Sequence, residues 1–180
     1  MVKLGIFSAV IMASLVLPAQ DVKTDYDHNF DFSQLKTFYV KIGTSWGNPL
    51  AEDRAKNAVI QQLTAKGWTQ AADENSADAL VVIHGATKTE QSLDTFYSGG
   101  GWYGYGWGGG PGMATTTVNE VHVGTGVVDI FDAKTKKLVF RGVAKDEVSE
   151  KAEKNEKKIE KATEKMFKNF PPKPKSEKSG

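Results

Sequence analysis

Ala79–Ala86 reads ALVVIHGA, and this run decides the fold. Apart from His84 it is apolar throughout. An unbroken apolar run of this length reads as a central strand covered on both faces, because a strand with one wet face would alternate. Working upstream, Trp68–Ser76 is a connection. Before it, Asn48-Pro49 opens a helix: a cap residue, a proline at the first position, then Glu52 and Asp53 in the first turn. Ala55, Ala58, Val59, Gln62, Leu63 and Lys66 follow at helical spacing, and Gly67 is the stop. Lys36–Ile42 (KTFYVKI), rich in aromatic and β-branched residues, is a strand that leads into a turn over Gly43–Asn48. The first half is therefore β-α-β.

Downstream, Ser98–Gly112 is SGGGWYGYGWGGGPG. It holds nine of the 18 glycines, so it reads as a low-complexity loop inserted between strands and not as a core element. Thr115–Val123 and Gly126–Asp132 read as strand, with a kink at Gly124-Thr125-Gly126. Asp132–Lys137 is a polar turn, and Leu138–Ala144 (LVFRGVA) returns as the second arm of a hairpin. A helix over 146–170 carries Val148, Ala152, Ile159, Ala162, Thr163, Met166, Phe167 and Phe170 along one stripe, broken near Asn155-Glu156. Lysines and glutamates cover its other face as solvated surface. Pro171-Pro172 ends it, and residues 173–180 read as a disordered tail. The expected fold is α+β, one domain in the order β-α-β-β-β-α, with a mixed four-stranded sheet and two helices packed on one face.

The N-terminus has the pattern of a signal peptide. Lys3 supplies the positive charge, Leu4–Leu17 is uncharged and apolar, and Ala19 offers a cleavage point. The apolar run is short for a membrane span, which sets the retained-anchor reading second. The expected organisation is a signal peptide over 1–19 and a single domain over 20–172. Without residues 1–19 the chain carries 22 basic and 22 acidic residues, a balance that argues against nucleic acid as partner. The absence of cysteine excludes disulfides, thiolate zinc sites and a cysteine nucleophile.

Lys66-Gly67-Trp68 followed by Ala77–His84 (ADALVVIH) resembles the helix-end and strand signature of the bacterial family called domain of unknown function 4136. Gly124–Gly142 (GTGVVDIFDAKTKKLVFRG) and Glu156–Pro172 (EKKIEKATEKMFKNFPP) resemble that family's most typical stretches. The resemblance covers about Asp25–Pro172. It implies an exported envelope protein, in many members a lipoprotein, and it implies no activity and no catalytic residues. With no cysteine after the signal peptide, this chain lacks the site for a lipid anchor.

Several local patterns bear on chemistry. Gly43-Thr44-Ser45-Trp46-Gly47 matches G-x-S-x-G, and it lies between a strand and a helix as a nucleophile elbow would. Asn48-Pro49 separates it from that helix, however, and the sheet is small for a hydrolase, so a plain turn is the favoured reading. Gly104–Gly109 fits G-x-G-x-x-G, but no helix follows to meet a pyrophosphate. His28, His84 and His122 are scattered, and none has metal-ligand spacing. Asp25, Asp27, His28 and Asp31 lie close together in a lead-in expected to be loose. Asp132 is explained as a turn residue, and Asp129 is expected at the surface.

Trp102, Tyr103, Tyr105 and Trp107 are the residues a bland domain does not need. Glycines free the backbone, and aromatic rings offer contact area at small entropy cost. The expected function is a non-catalytic binding or accessory module of the cell envelope, periplasmic or secreted. These four residues would form its contact loop, and the partner would be an envelope protein, a glycan or a membrane surface. No cofactor and no metal are expected. The alternatives are a small hydrolase using Ser45, which requires a histidine within hydrogen-bond reach, and a structural, self-associating protein.

Overall fold

The computed structural model of the protein describes residues 20–97 and 114–172. The expected signal peptide, the whole glycine-aromatic loop over 98–112 with its four contact residues, and the tail lie outside these residues. The apolar run at Ala79 begins a strand, β4, that continues to Tyr97. The side chains of Thr87–Tyr97 are mostly polar, which hides this half of the strand from a hydrophobicity pattern. Pairing decides the matter: β4 is matched residue for residue by β5, Ala114–Asp132, from Ala79 opposite Asp132 to Tyr97 opposite Ala114. No register shift interrupts that ladder, so β5 runs through Gly124–Gly126 as one continuous strand without a bulge.

Around this pair the sheet has six strands and not four. β1 is Asp21–Tyr26, β2 is Thr37–Thr44, β3 is Thr69–Gln70 and β6 is Leu138–Glu147. The spatial order is β1-β6-β5-β4-β2-β3, with β2 parallel to both β3 and β4 and the other pairs antiparallel. The two extra strands sit at the edges. β1 (DVKTDY) packs Val22 and Tyr26 against the core and leaves Asp21, Lys23 and Asp25 facing out. Charge of that kind is how an edge strand resists pairing with another chain, and it also hid the strand from a hydrophobicity reading.

Helix α1, Pro49–Ala65, starts as expected: the Asn48 side chain accepts from the Ala51 N–H at 3.1 Å, and Gly67 takes a positive φ just past the end. Helix α2 spans Ala152–Phe167, shorter than the expected 146–170. Asp146 and Glu147 finish β6 instead. Asn155 explains the interrupted stripe. Its side chain accepts from Ser149 N and donates to Ser149 O, both at 2.7 Å, and so ties the first turn of the helix to the loop before it.

Both helices cover one face of the sheet, as expected. Phe38, Val40, Ala79, Val81, Ile83, Val128 and Ile130 point toward them and meet Val59, Leu63, Ala162, Met166 and Phe167. A β-bulge where β5 meets β6 turns both Val139 and Phe140 inward. Aromatic rings close one end of this core. Phe170 lies against Phe32, Trp68, Phe140 and Phe167, with centroids 5.0–5.6 Å apart. Gly142 admits Met166 close to the sheet, where a methyl group would sit 2.9 Å from the sulfur.

Two aspartates fasten strand ends. The Asp78 carboxylate accepts from Lys36 N, Thr37 N and Thr37 Oγ1 at 2.9–3.1 Å, which pins β2 to the start of β4. Asp132 accepts from Thr135 Oγ1 at 2.6 Å and from two N–H groups of its hairpin turn. The Lys36 and Thr37 bonds hold the Asp78 carboxyl below the usual carboxylate range, and the Thr135 hydroxyl does the same for Asp132. A depressed folded-state pKa stabilises above the unfolded value of about 3.8, and that stabilisation is lost as pH falls through the folded-state value. The melting temperature is therefore expected to drop steeply only below about pH 3.8, and the drop should be shallower in Asp78→Asn and Asp132→Asn. Acid limbs of the same steepness in all three proteins would remove these carboxylates as the cause.

Candidate functional site

Three glycines shape the helix-facing side of the sheet beyond the core. Gly85 on β4 and Gly124 and Gly126 on β5 point toward the helices, where the preceding positions carry Ile83, Val128 and Ile130. At Gly85 the bare backbone admits the indole of Trp46, and a methyl group there would overlap the ring. At Gly126 nothing lies within 4 Å of where a Cβ would stand. Side chains fill the space between helices and sheet at the Phe170 end, whereas at the glycine end that space stays open.

The result is a cleft of about 330 Å³ between the first turns of α1, the inner face of α2 and the sheet. Trp46, Ala55, Val59, Ile83, Val128 and Ile159 give it apolar walls. Its rim is polar. Lys158 Nζ pairs with Asp146 Oδ1 at 3.0 Å and donates to Glu147 O at 2.7 Å. Gln20 donates to Lys158 O at 2.9 Å, and its own side-chain oxygen is buried at the cleft with no hydrogen-bond partner among the described residues. An apolar space with a few polar groups at its edge is what a small apolar ligand or a buried side chain of a partner requires.

The opposite, helix-free face carries a charged cluster. Asp129 and Arg141 are direct cross-strand partners, and Arg141 grips the carboxylate with two bonds, Nε–Oδ1 2.6 Å and Nη2–Oδ2 2.7 Å. The Asp129 side chain is 3% exposed, so it is buried and not at the surface as expected; the Arg141 side chain is 50% exposed. The bond from Asp129 raises the Arg141 pKa above its usual value. His84 Nε2 stands 3.8 Å from Asp129 Oδ2, outside hydrogen-bond range. A β-bulge at Gly43 sets Thr44 opposite His84, and the Thr44 hydroxyl meets His84 Nδ1 at 3.0 Å. With its carboxylate oxygens engaged by the guanidinium, Asp129 is not placed to orient a catalytic histidine.

Ser45 is held elsewhere. Its hydroxyl donates to Glu52 Oε1 at 2.6 Å, Trp46 N donates to the same oxygen, and Gly47 N donates to Ser45 Oγ. The G-x-S-x-G segment is thus a turn tied to the first turn of α1, and Gly47 supplies the positive φ that the turn requires. The histidine contact that a serine nucleophile needs is not among its bonds. His28 packs on Tyr26 and His122 meets Thr89 Oγ1 at 3.1 Å, so the three histidines stay apart. No group of three metal-ligating side chains occurs among the described residues. Asp25, Asp27 and Asp31 each accept from a nearby backbone N–H, which makes their segment a strand and two turns and not a loose lead-in.

Trp102, Tyr103, Tyr105 and Trp107 lie outside the described residues, but the strands that carry them do not. β6 pairs with β5 only as far as Val123, and Val148 N reaches His122 O. β2 pairs with β4 only as far as His84. Beyond these points, among the described residues, Glu90–Tyr97 and Ala114–Val121 pair with each other alone. At about 3.4 Å per residue this two-stranded ribbon extends roughly 27 Å past the sheet. No helix among the described residues is long and apolar enough to cross a membrane.

The sequence matches the family model described as Domain of unknown function (DUF4136) over residues 22–172. No curated protein matches it. Among solved structures it is similar to a DUF4136 family protein from Bacteroides thetaiotaomicron, at 18% identity and a TM-score of 0.54, covering 84% of this chain and 96% of that one. It is also similar to a PDZ domain protein from Parabacteroides distasonis, at 18% identity and a TM-score of 0.51, covering 84% of this chain and 35% of that one. At such identities the likeness is one of fold.

Proposed function

The chain belongs to the DUF4136 family, and since that membership brings no activity with it, we propose that the protein is a non-catalytic binding module of the cell envelope that holds an apolar group in the cleft between its helices and its sheet. The cleft itself carries this reading. Apolar walls and a floor stripped to glycine are costly to leave empty, because a cavity forfeits contacts that side chains would otherwise make. A larger residue at 126 would fill the space without backbone strain, since no positive φ demands glycine there. The N-terminal pattern of residues 1–19 supports export to the periplasm or beyond, and Trp102, Tyr103, Tyr105 and Trp107 are assigned a second contact with an envelope partner. Glu52 engages Ser45, which favours binding over hydrolysis.

The test uses a fluorescent naphthalene sulfonate dye as an apolar probe. The native protein is expected to bind it saturably at one site. Gly126→Leu should weaken binding about tenfold or more, because the leucine occupies the cleft. The same change should raise the melting temperature by about 2–4 °C, through about 1 kcal/mol of new burial and relief of glycine's entropy cost in a strand. Absent or non-saturable binding, or equal affinity in Gly126→Leu, would defeat the proposal.

A further inference from the structure

The cleft and the aromatic segment are built on the same two strands, at opposite ends. Gly124 and Thr87 border the cleft, and Tyr97 and Ala114 end the ribbon. Ten residues of strand separate Thr87 from Tyr97, roughly 34 Å. Trp102 is five residues beyond Tyr97, and Trp107 is seven residues before Ala114. Fully extended, those tethers span at most about 18 Å and 25 Å. Even with the length of its side chain added, the shorter tether leaves Trp102 short of the cleft of its own molecule.

We propose that the Trp102–Trp107 segment of one molecule fills the cleft of a second copy of this chain, so that the protein assembles through contacts between ribbon end and cleft. The inference rests on the reading of the cleft as a binding site and names its occupant. Two observations favour a second copy. The cleft's volume of about 330 Å³ and its apolar walls suit one or two aromatic rings, and tryptophan and tyrosine are the side chains that most often anchor an interface in such a pocket. Among the described residues the ribbon has no neighbouring strand on either side, and two strands alone are marginally stable in water, so docking its end on another body supplies support that these residues do not. The contact joins two different surfaces; reciprocal exchange closes it as a dimer, and one-way exchange as a ring or chain.

Sedimentation velocity on the whole protein tests this with two variants. Trp102→Ala/Trp107→Ala disables the ribbon end and keeps the cleft; Gly126→Leu fills the cleft and keeps the ribbon end. The native mass is expected to rise with concentration, and each variant alone should associate about tenfold or more weakly. An equimolar mixture of the two should recover association and stop at two chains, because only one working contact remains per pair. A native protein that stays monomeric at every concentration overturns the inference. So does association that survives in both variants, or a mixture that fails to associate. Dye binding separates this from failure of the cleft itself: if the native chain and the tryptophan variant bind dye and Gly126→Leu does not, the cleft reading stands whatever the mass shows. Circular dichroism and melting curves confirm that both variants are folded.

Discussion

Replacing Arg141 with methionine is expected to cost about 3 kcal/mol or slightly more, a fall in melting temperature of roughly 10 °C for a chain of this size. The reason is the asymmetry of the pair. Asp129 is buried and its two oxygens are both engaged by Arg141, while the guanidinium is half exposed. Removing the arginine leaves a carboxylate in the middle of a sheet without its partner, and an uncompensated buried charge costs several kcal/mol. Removing the aspartate instead leaves an arginine that water already reaches. Asp129→Leu should therefore cost less than Arg141→Met, and the double variant should be more stable than Arg141→Met alone. Water near the guanidinium, and His84 at 3.8 Å, place the cost at the low end of the ~3–5 kcal/mol range for broken buried pairs. Urea unfolding of the three variants measures this. A loss under about 1 kcal/mol for Arg141→Met would mean the pair behaves as an ordinary surface salt bridge.

The second large effect is expected at Phe170. Phe170→Ala should cost about 3–5 kcal/mol, the range for emptying a buried aromatic site. The ring touches Phe32 from the turn after β1, Trp68 from the end of α1, Phe140 from β6 and Phe167 from α2. Four separate parts of the chain meet on it, so no single neighbour can move in to fill the space without leaving another gap. That places the cost toward the upper part of the range. The same truncation at Leu50, an exposed residue of α1, should change stability by no more than about 0.5 kcal/mol. The urea midpoint should fall in Phe170→Ala with the slope of the transition unchanged. A loss similar to that of Leu50→Ala would mean the aromatic cluster is not holding the fold together.

The central features were legible because local patterns and tertiary needs agree there. The odd positions Ala79, Val81 and Ile83 meet the helices and Leu80 is buried on the other side, but Val82 and His84 are only half-buried and Ala86 is exposed, so the strand is covered fully on one face and not on both as expected. Asn48-Pro49 and Gly67 bracket α1 through caps that act over a few residues. What escaped the reading depends on distant partners. Thr87–Tyr97 is strand only because β5 runs beside it. Asp21–Tyr26 is strand only because β6 presents a free edge. Counting outward from the turn after Asp132 would have set Phe140 opposite Asp129; the bulge at Val139 shifts the register by one and brings Arg141 there instead, and nothing in the local sequence announces it. The glycines at 85, 124 and 126 did give a signal, as glycine inside a strand often marks close approach. At Gly124–Gly126 it suggests a kink, and at Gly85 nothing in the local sequence says that Trp46 packs there.

The continuity of β4 and β5 from the core to the end of the ribbon has a mechanical consequence. A pull on the ribbon's far end draws both strands in the same direction along their own axes. Within the body they are flanked by β2 and β6, to which they are bonded over several consecutive residues. Such a load does not peel the sheet one bond at a time; it shears two ladders at once, and their hydrogen bonds share the force. Unfolding under force follows the unfolding rate and not the equilibrium stability. A tether attached at residues 98–113 would thus be anchored in the strongest direction the fold offers, whereas the same tension applied at β1 would unzip an edge strand.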